Sequence, residues 1–234
     1  MILKIGGSVL TEKDGDETVA GVFDDVLATV AREAPDDLVL VHGAGSFGHP
    51  HAERHGIDER TASVEGAYET HAAVARLNRQ VVETLNSHGV DAVPVHPSSC
   101  GWRDGGTRFQ TGAVESLRDA GFLPVVHGDV VADAHGGASV LSGDELAVRL
   151  AEEDERVGMC TSAGGVLNEE GNRLGRVSSV EELTELGDGT DDVTRGIRGK
   201  VERLLSAPSG GYVFGADEID AYLGGNDVGT LVRR

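Results

Sequence analysis

An α/β fold with a mainly parallel sheet covered by helices is what this sequence predicts, on three observations. Short apolar runs alternate with longer helix-patterned stretches along the whole chain, the order expected of strands joined by helical crossovers. Leu38-Val39-Leu40-Val41 is apolar at every position, as a strand buried on both faces must be. The 234 residues hold no clear internal repeat and no low-complexity linker, and the length suits one large domain or two small lobes with an ample core.

Taken in order, Ile2-Leu3-Lys4-Ile5 is the first strand, followed by a helix within 18–32. Leu38-Val39-Leu40-Val41 is the second strand, and the glycine loop 43–48 opens the next helix. The stretch 61–88 reads as mostly helical, with Ala67, Tyr68, His71 and Ala75 on one stripe, either a buried face or the wall of an apolar pocket. Ala92-Val93-Pro94-Val95 and Phe122-Leu123-Pro124-Val125-Val126 are strands around a helix at 112–120. Helix is expected at 144–153, 195–205 and 216–223, and extended chain at 157–160, 212–214 and 230–232. Asp188-Gly-Thr-Asp-Asp192 is the best candidate hinge between lobes.

Composition excludes several functions. Forty acidic residues against twenty basic ones give a net charge of −20 at pH 7, scattered along the chain. That charge opposes nucleic-acid binding, which needs a basic patch. It also repels the compact state from within, and such a surface suits a high-salt cytoplasm, because the Debye length falls to about 3 Å at 1 M. Cys100 and Cys160 stand alone, without zinc spacing, and read as free thiols in a reducing compartment. The N-terminal apolar run is too short for a signal peptide and no run has membrane-spanning length, so a soluble cytoplasmic protein is expected. His51 and His55 have the i,i+4 spacing of a metal pair, but no HExxH surrounds them; no protein-held metal is expected.

The basic residues comprise seventeen arginines and only three lysines. Lys4 precedes Gly6-Gly7-Ser8, Lys13 follows in a polar segment, and Lys200 ends the glycine-containing stretch 192–200. A compact ammonium on a flexible stem meets a phosphate oxygen as a point charge. Two consecutive strands end in glycine loops, the second being Gly43-Ala44-Gly45-Ser46-Phe47-Gly48-His49. Successive N–H groups at a helix start form an anion cradle. Two adjacent cradles suit a reaction in which one phosphate meets another. The second loop also fits G-x-G-x-x-G, yet the acids about twenty residues on, Glu65 and Glu69, fall inside a helix rather than at a strand end, against dinucleotide binding. Gly199-Lys200 is followed by Val201, against a P-loop.

Lys4-Ile-Gly-Gly-Ser8, with the glycine loop after the second strand, resembles the amino acid kinase superfamily. Val41-His-Gly-Ala-Gly-Ser-Phe-Gly-His49 most resembles the isopentenyl phosphate kinases, whose mark is a histidine closing this loop. Gly128-Asp129-Val-Val-Ala-Asp133, Ser142-Gly143-Asp144, Thr161 with Gly164-Gly165-Val166, and Asp192-Val-Thr194 leading to Lys200 match in order over nearly the whole chain. The resemblance implies a three-layer α/β/α sandwich and a homodimer. It implies an acceptor lobe at approximately 1–140 and a nucleotide lobe at 141–234. The implied reaction is ATP-dependent phosphorylation of isopentenyl monophosphate to the diphosphate in isoprenoid biosynthesis, with Mg²⁺ arriving on ATP. By the same resemblance Lys4, Lys13, His49, Asp144 and Lys200 are catalytic. ATP would meet Lys4, Gly6, Gly7, Ser8, Gly45, Asp144, Thr161, Gly165, Gly196 and Lys200, and the acceptor Ala44, Gly45, Gly48, His49 and Gly128. An N-terminal cap is the structural alternative for Asp144. Two departures bear on the nucleotide contacts: Arg195 replaces a usual glycine, and Ala163 or Gly164 a usual acid. Another superfamily member with a phosphonate, carboxylate, carbamate or nucleotide acceptor, and a non-catalytic nucleotide-binding or storage protein, are the alternatives.

Overall fold

A computed structural model describes residues 1–13, 17–57, 60–184 and 192–234. β1 (Ile2–Ile5) leads through a one-turn helix, α1 (Gly7–Leu10), to α2 (Phe23–Glu33) and β2 (Val39–His42). α3 (Gly45–Arg54) and α4 (Val64–Ser87) follow, then β3 (Ala92–Val95), α5 (Pro97–Cys100), β4 (Gly101–Arg103), β5 (Thr107–Phe109) and α6 (Gly112–Asp119). β6 (Leu123–His127), β7 (Asp129–Asp133) and β8 (Ala138–Leu141) lead to α7 (Gly143–Leu150) and β9 (Val157–Cys160). The chain closes with β10 (Arg176–Val177), α8 (Glu181–Thr184), α9 (Asp192–Ser206), β11 (Gly211–Phe214), a 3₁₀ turn at Ala216–Glu218, α10 (Ile219–Leu223) and β12 (Thr230–Val232).

Eight strands form one sheet in the order β10-β12-β11-β9-β1-β2-β6-β3. Every neighbouring pair is parallel except β11 with β12. Helices cover both faces because strand side chains alternate. Leu3 and Ile5 of β1 join Leu40, Val125 and Phe214 in one apolar cluster, sealed by Val26 and Leu27 of α2, Leu77 and Val81 of α4, and Tyr222 of α10. Ile2 turns the other way, with Val41, Val126 and Met159, beneath Leu146 of α7 and Val201 and Leu204 of α9. The three-layer α/β/α sandwich is therefore the observed fold. Lys4 shares the parity of Ile2, so its side chain enters the layer that α7 and α9 cover.

A second sheet, β5-β4-β7-β8, pairs β4 with β5 and β7 with β8 antiparallel. Sequence reading missed it. Its members β4 and β5 are three residues long and carry Trp102, Arg103 and Arg108 among few buried positions, too short to display a period. Arg103 ties this sheet to α7: its Nη2 donates to Glu145 Oε2 at 2.9 Å and to Val140 O at 2.8 Å.

On α4 the buried face is Gly66, Thr70, Ala73, Val74, Leu77, Asn78, Val81 and Leu85. The expected stripe lies at its edge: Tyr68 is exposed, and Ala67, His71 and Ala75 are half-buried. Ser63 caps α4 by accepting from Gly66 N at 2.9 Å, and such a cap stabilises by about 1 kcal/mol. The candidate hinge at 188–191 lies outside the described residues, as do the side chains of Asp192, Val193, Thr194 and Arg195. No helix among the described residues is long and apolar enough to cross a membrane.

Candidate active site

The two glycine loops meet. Gly43 N donates to Ile5 O at 3.0 Å, so β1 and β2 end at the same level, and their loops touch backbone to backbone. A Cβ on Gly43 would lie 2.6 Å from Gly7 N, and one on Gly7 would lie 2.5 Å from Gly45 Cα. Gly45 also adopts φ +51, a left-handed conformation that glycine reaches without a Cβ penalty. The glycines are therefore required first by the apposition of two loops, which brings two helix N-termini together. Thr11 clips them: its hydroxyl donates to Gly7 O at 2.9 Å and accepts from Ser46 N at 3.0 Å.

Beside these loops three charges converge. Lys4 Nζ lies 2.6 Å from Asp144 Oδ1, an ion-pair contact rather than an aligned hydrogen bond. Lys200 Nζ donates to Asp144 Oδ2 at 3.0 Å. Lys4 comes from the sheet, Asp144 from the first turn of α7, and Lys200 from α9, and all three are largely buried. Burial alone would raise the Asp144 pKa, but Lys4 and Lys200 together outweigh it and hold the carboxyl well below its ordinary range. Lys200 moves down as well, through burial and the repulsion of Lys4, with Asp144 pulling back. Two ammonium groups sharing one carboxylate are thus short of negative charge. The cap of α7 is Ser142, which accepts from Glu145 N at 3.2 Å, so Asp144 is free of that structural duty. A Cβ on Gly143 would lie 2.9 Å from His42 O, so α7 starts against the end of β2.

Below the second loop lies a string of buried imidazoles. His42 and His127 face each other across β2 and β6 in register, their rings stacked at 5.6 Å. His42 Nδ1 pairs with Gly43 O and His127 Nδ1 with Gly128 O, each at 3.0 Å. Burial keeps both neutral, lowering His42 and pushing His127 down to about 3. His127 Nδ1–H is then the donor to Gly128 O, and its Nε2 accepts from His96 Nδ1–H at 2.9 Å. Neutral His42, whose Nε2 also meets Asn78 Oδ1 at 3.0 Å, donates from one ring nitrogen at a time. Asp129 is buried and pairs with His71 Nδ1 at 2.9 Å while accepting from Ser98 N at 3.1 Å and Val130 N at 2.8 Å. Burial opposes its ionisation, but His71, with the Val130 amide, holds it below the usual carboxylate range.

The remaining expected residues are placed less uniformly. His49 is exposed on α3, one turn after Gly45. Gly48 is packed closely against α4, since a Cβ there would meet Val74 Cγ2 at 2.8 Å. Gly128 donates its N–H to His42 O at 2.9 Å and abuts Gly143. Gly6 N donates to Cys160 O at 2.9 Å, and Ser8 and Ser162 hydroxyls meet at 3.0 Å, joining the first loop to Thr161 and the end of β9. Thr161 N donates to Phe214 O at 2.8 Å. Gly165 sits at φ +147 against Arg173. Gly196 is exposed on α9 with open space around it. Lys13 is exposed and forms no ion pair with a described residue. The 161–166 turn, which carries no acid of its own, is held by Arg173, which donates to Gly164 O at 3.3 Å and pairs with Glu218 Oε2 at 2.5 Å.

His51 and His55 each face a carboxylate. His51 Nε2 meets Glu17 Oε1 at 3.0 Å and His55 Nε2 meets Glu69 Oε2 at 2.8 Å. Among the described residues no group of three or more metal-ligating side chains exists. Sequence reading missed Thr11, His42 and His127. A signal for the last two was present, because Val41-His42-Gly43 and Val126-His127-Gly128 repeat one tripeptide at the ends of adjacent strands.

Comparison with known proteins places the chain in a family and matches its fold. Residues 1–212 match the model of the amino acid kinase family. The isopentenyl phosphate kinase of Haloferax volcanii is 40% identical over 100% of this chain and 98% of its own. That of Methanocaldococcus jannaschii is 30% identical over 93% and 91%. An X-ray structure of isopentenyl phosphate kinase superposes with a TM-score of 0.82 at 29% identity, covering 100% of this chain and 99% of that one.

Proposed function

The chain belongs to the amino acid kinase family, and from that premise we propose that it phosphorylates isopentenyl monophosphate to the diphosphate with ATP. The observation that carries this reading is the pair of buried ammonium groups on Asp144 beside two apposed glycine loops. Whole-chain similarity to isopentenyl phosphate kinases supplies the acceptor.

A phosphate monoester has a second pKa near about 6, so its oxygen is already a nucleophile at neutral pH and needs no general base. The protein has to hold two anions in line and neutralise the transferred group. Lys4 and Lys200 bind the ATP phosphates and stabilise the charge in flight, with Asp144 orienting both and Lys13 reaching the same phosphates. Gly6, Gly7, Ser8 and Gly45 line the donor side, and Thr161, Gly165 and Gly196 border the nucleotide. Ala44, Gly45 and Gly128 face the acceptor, Gly48 allows the close packing of α3 on α4, and His49 donates to the acceptor phosphate. Both Asp144 oxygens are engaged by lysines, so Mg²⁺ travels on the ATP phosphates and water rather than in a protein cage. The acceptor lobe is taken as approximately 1–140 and the nucleotide lobe as 141–234. A cytoplasmic, salt-adapted homodimer completes the proposal.

The test is ADP release with MgATP and a panel of acceptors: isopentenyl monophosphate, a phosphonate, a carboxylate, carbamate and a nucleotide. Turnover with the first at low KM supports the reading. Turnover with another acceptor alone keeps the fold and discards the acceptor, and none in dilute or molar salt favours a nucleotide-binding or storage protein.

A further inference from the structure

We propose that Glu17 is the positioning residue for Lys13, fixing the leg that pairs with the one from which that lysine reaches the phosphates. The inference rests on the kinase reading above.

After α1, residues 11–13 and 17–20 run as two paired antiparallel legs. Thr11 bridges Val19 antiparallel, Glu12 N donates to Thr18 O at 3.0 Å, and Ala20 N donates to Leu10 O at 2.9 Å. Lys13 and Glu17 are the next residues outward on the two legs, at facing positions. Lys13 is exposed and forms no ion pair with a described residue, so its own side chain does not hold the leg in place.

Glu17 holds the facing leg. Its Oε2 accepts from Arg76 Nε at 2.8 Å and its Oε1 from Arg76 Nη2 at 2.5 Å, a two-pronged fork from α4. Its Oε1 also meets His51 Nε2 of α3 at 3.0 Å. Arg76 holds the Glu17 carboxyl below its usual range. The residue pays for this with its backbone, which sits at φ +51, a conformation that a non-glycine residue keeps only where its surroundings over-determine it.

The partners say what is being aligned. His51 lies two residues past His49 on the same helix, whose N-terminus carries Gly45 and Ser46. At the other end of the paired legs Thr11 is clipped to Gly7 O and Ser46 N. The paired legs are therefore tied to the helix that carries the acceptor loop at Thr11 on the leg bearing Lys13 and at Glu17 on the facing leg. Arg76 is half-exposed, and ion pairs at such positions contribute little to stability. What the clamp changes is position, and a displacement of about 1 Å can cost a kinase up to about a hundredfold.

The experiment is a double-mutant cycle on the full chain, measuring kcat, both KM values and Tm for Glu17→Ala, Lys13→Ala and the double variant. The proposal expects Glu17→Ala to lower kcat by about tenfold with Tm moved by less than about 2 °C. In the Lys13→Ala background the same change should alter kcat by less than about twofold. Glu17→Gln, which keeps an acceptor for Arg76, should fall between, and it replaces Glu17→Ala in the cycle if that variant precipitates. An equal loss in both backgrounds, or no loss of kcat, overturns the proposal. An unmodified protein that releases no ADP sinks the kinase reading instead, before any variant is compared.

Discussion

Replacing Asp144 by Asn removes the one negative charge that Lys4 and Lys200 share while keeping the size of the side chain. Breaking a buried pair by neutralising one partner costs about 3–5 kcal/mol, because the other charge is left without compensation. Here the two partners pull in opposite senses. Asp144 gains from both lysines, but Lys200 loses to burial and to Lys4, and the amide oxygen of Asn can still accept one hydrogen bond. We therefore place the loss at the lower end, about 3 kcal/mol. At about 2–4 °C per kcal/mol for a chain of this size, Tm should fall by about 6–12 °C. Calorimetry at pH 7 with and without saturating ATP is the assay. ATP phosphates return negative charge to the lysines, so the gap between variant and parent should narrow when ATP is bound. The pH dependence has a definite sign. The folded Asp144 pKa lies below the unfolded value of about 3.9, so its contribution is complete above that value and is lost as pH falls below it. The difference between parent and variant should be constant from pH 5 to 8 and shrink in acid. Equal Tm values for the two proteins at pH 7 would refute the reasoning.

Four further outcomes are expected. His49→Gln should raise the acceptor KM, lower kcat, or both, while the ATP KM holds; unchanged acceptor constants would remove His49 from the reaction. Gly7→Ala places a Cβ against the Gly45 backbone, and overpacking of this kind costs about 1–3 kcal/mol; a denaturant midpoint equal to that of the parent would contradict the loop apposition. In nitrogen-detected NMR, His71, raised by Asp129 against the cost of burial, should take its proton above pH 6.5, adding stability below that value that is lost as pH rises through its raised pKa. His127 should stay neutral down to about 3, so its burial costs stability increasingly as pH falls from 6.5; a His127 midpoint near 6.5 would be inconsistent with that. With a net charge of −20, Tm should rise from dilute buffer to 1 M salt as repulsion is screened, and a chain most stable in dilute buffer would count against salt adaptation.

Much of the fold was legible because buried parallel strands advertise themselves as unbroken apolar runs. Val39–His42 and Leu123–His127 lie within a residue of their expected limits, and Val64–Ser87 fills the long helical stretch. Half of the second sheet, β4 and β5, was not legible, since three-residue strands carry no period and are fixed by tertiary contacts such as Arg103 with Glu145. At the site, the scarcity of lysine pointed to Lys4 and Lys200, and alternation along β1 explains why Lys4 meets α7. The glycine loops were found, but part of their purpose was not. Sequence shows that glycine permits close approach, whereas only the fold reveals that the approaching group at Gly7 and Gly43 is the other loop. Glu17 gave no signal at all, because its partners Arg76 and His51 are distant in sequence.

Phosphorus NMR of the running reaction tests the central claim most directly. With MgATP and isopentenyl monophosphate, the account predicts that the acceptor's monoester resonance disappears as a pair of coupled diphosphate resonances grows, one for each ADP formed. ADP appearing together with free inorganic phosphate, and an unchanged acceptor resonance, would contradict phosphoryl transfer to the acceptor.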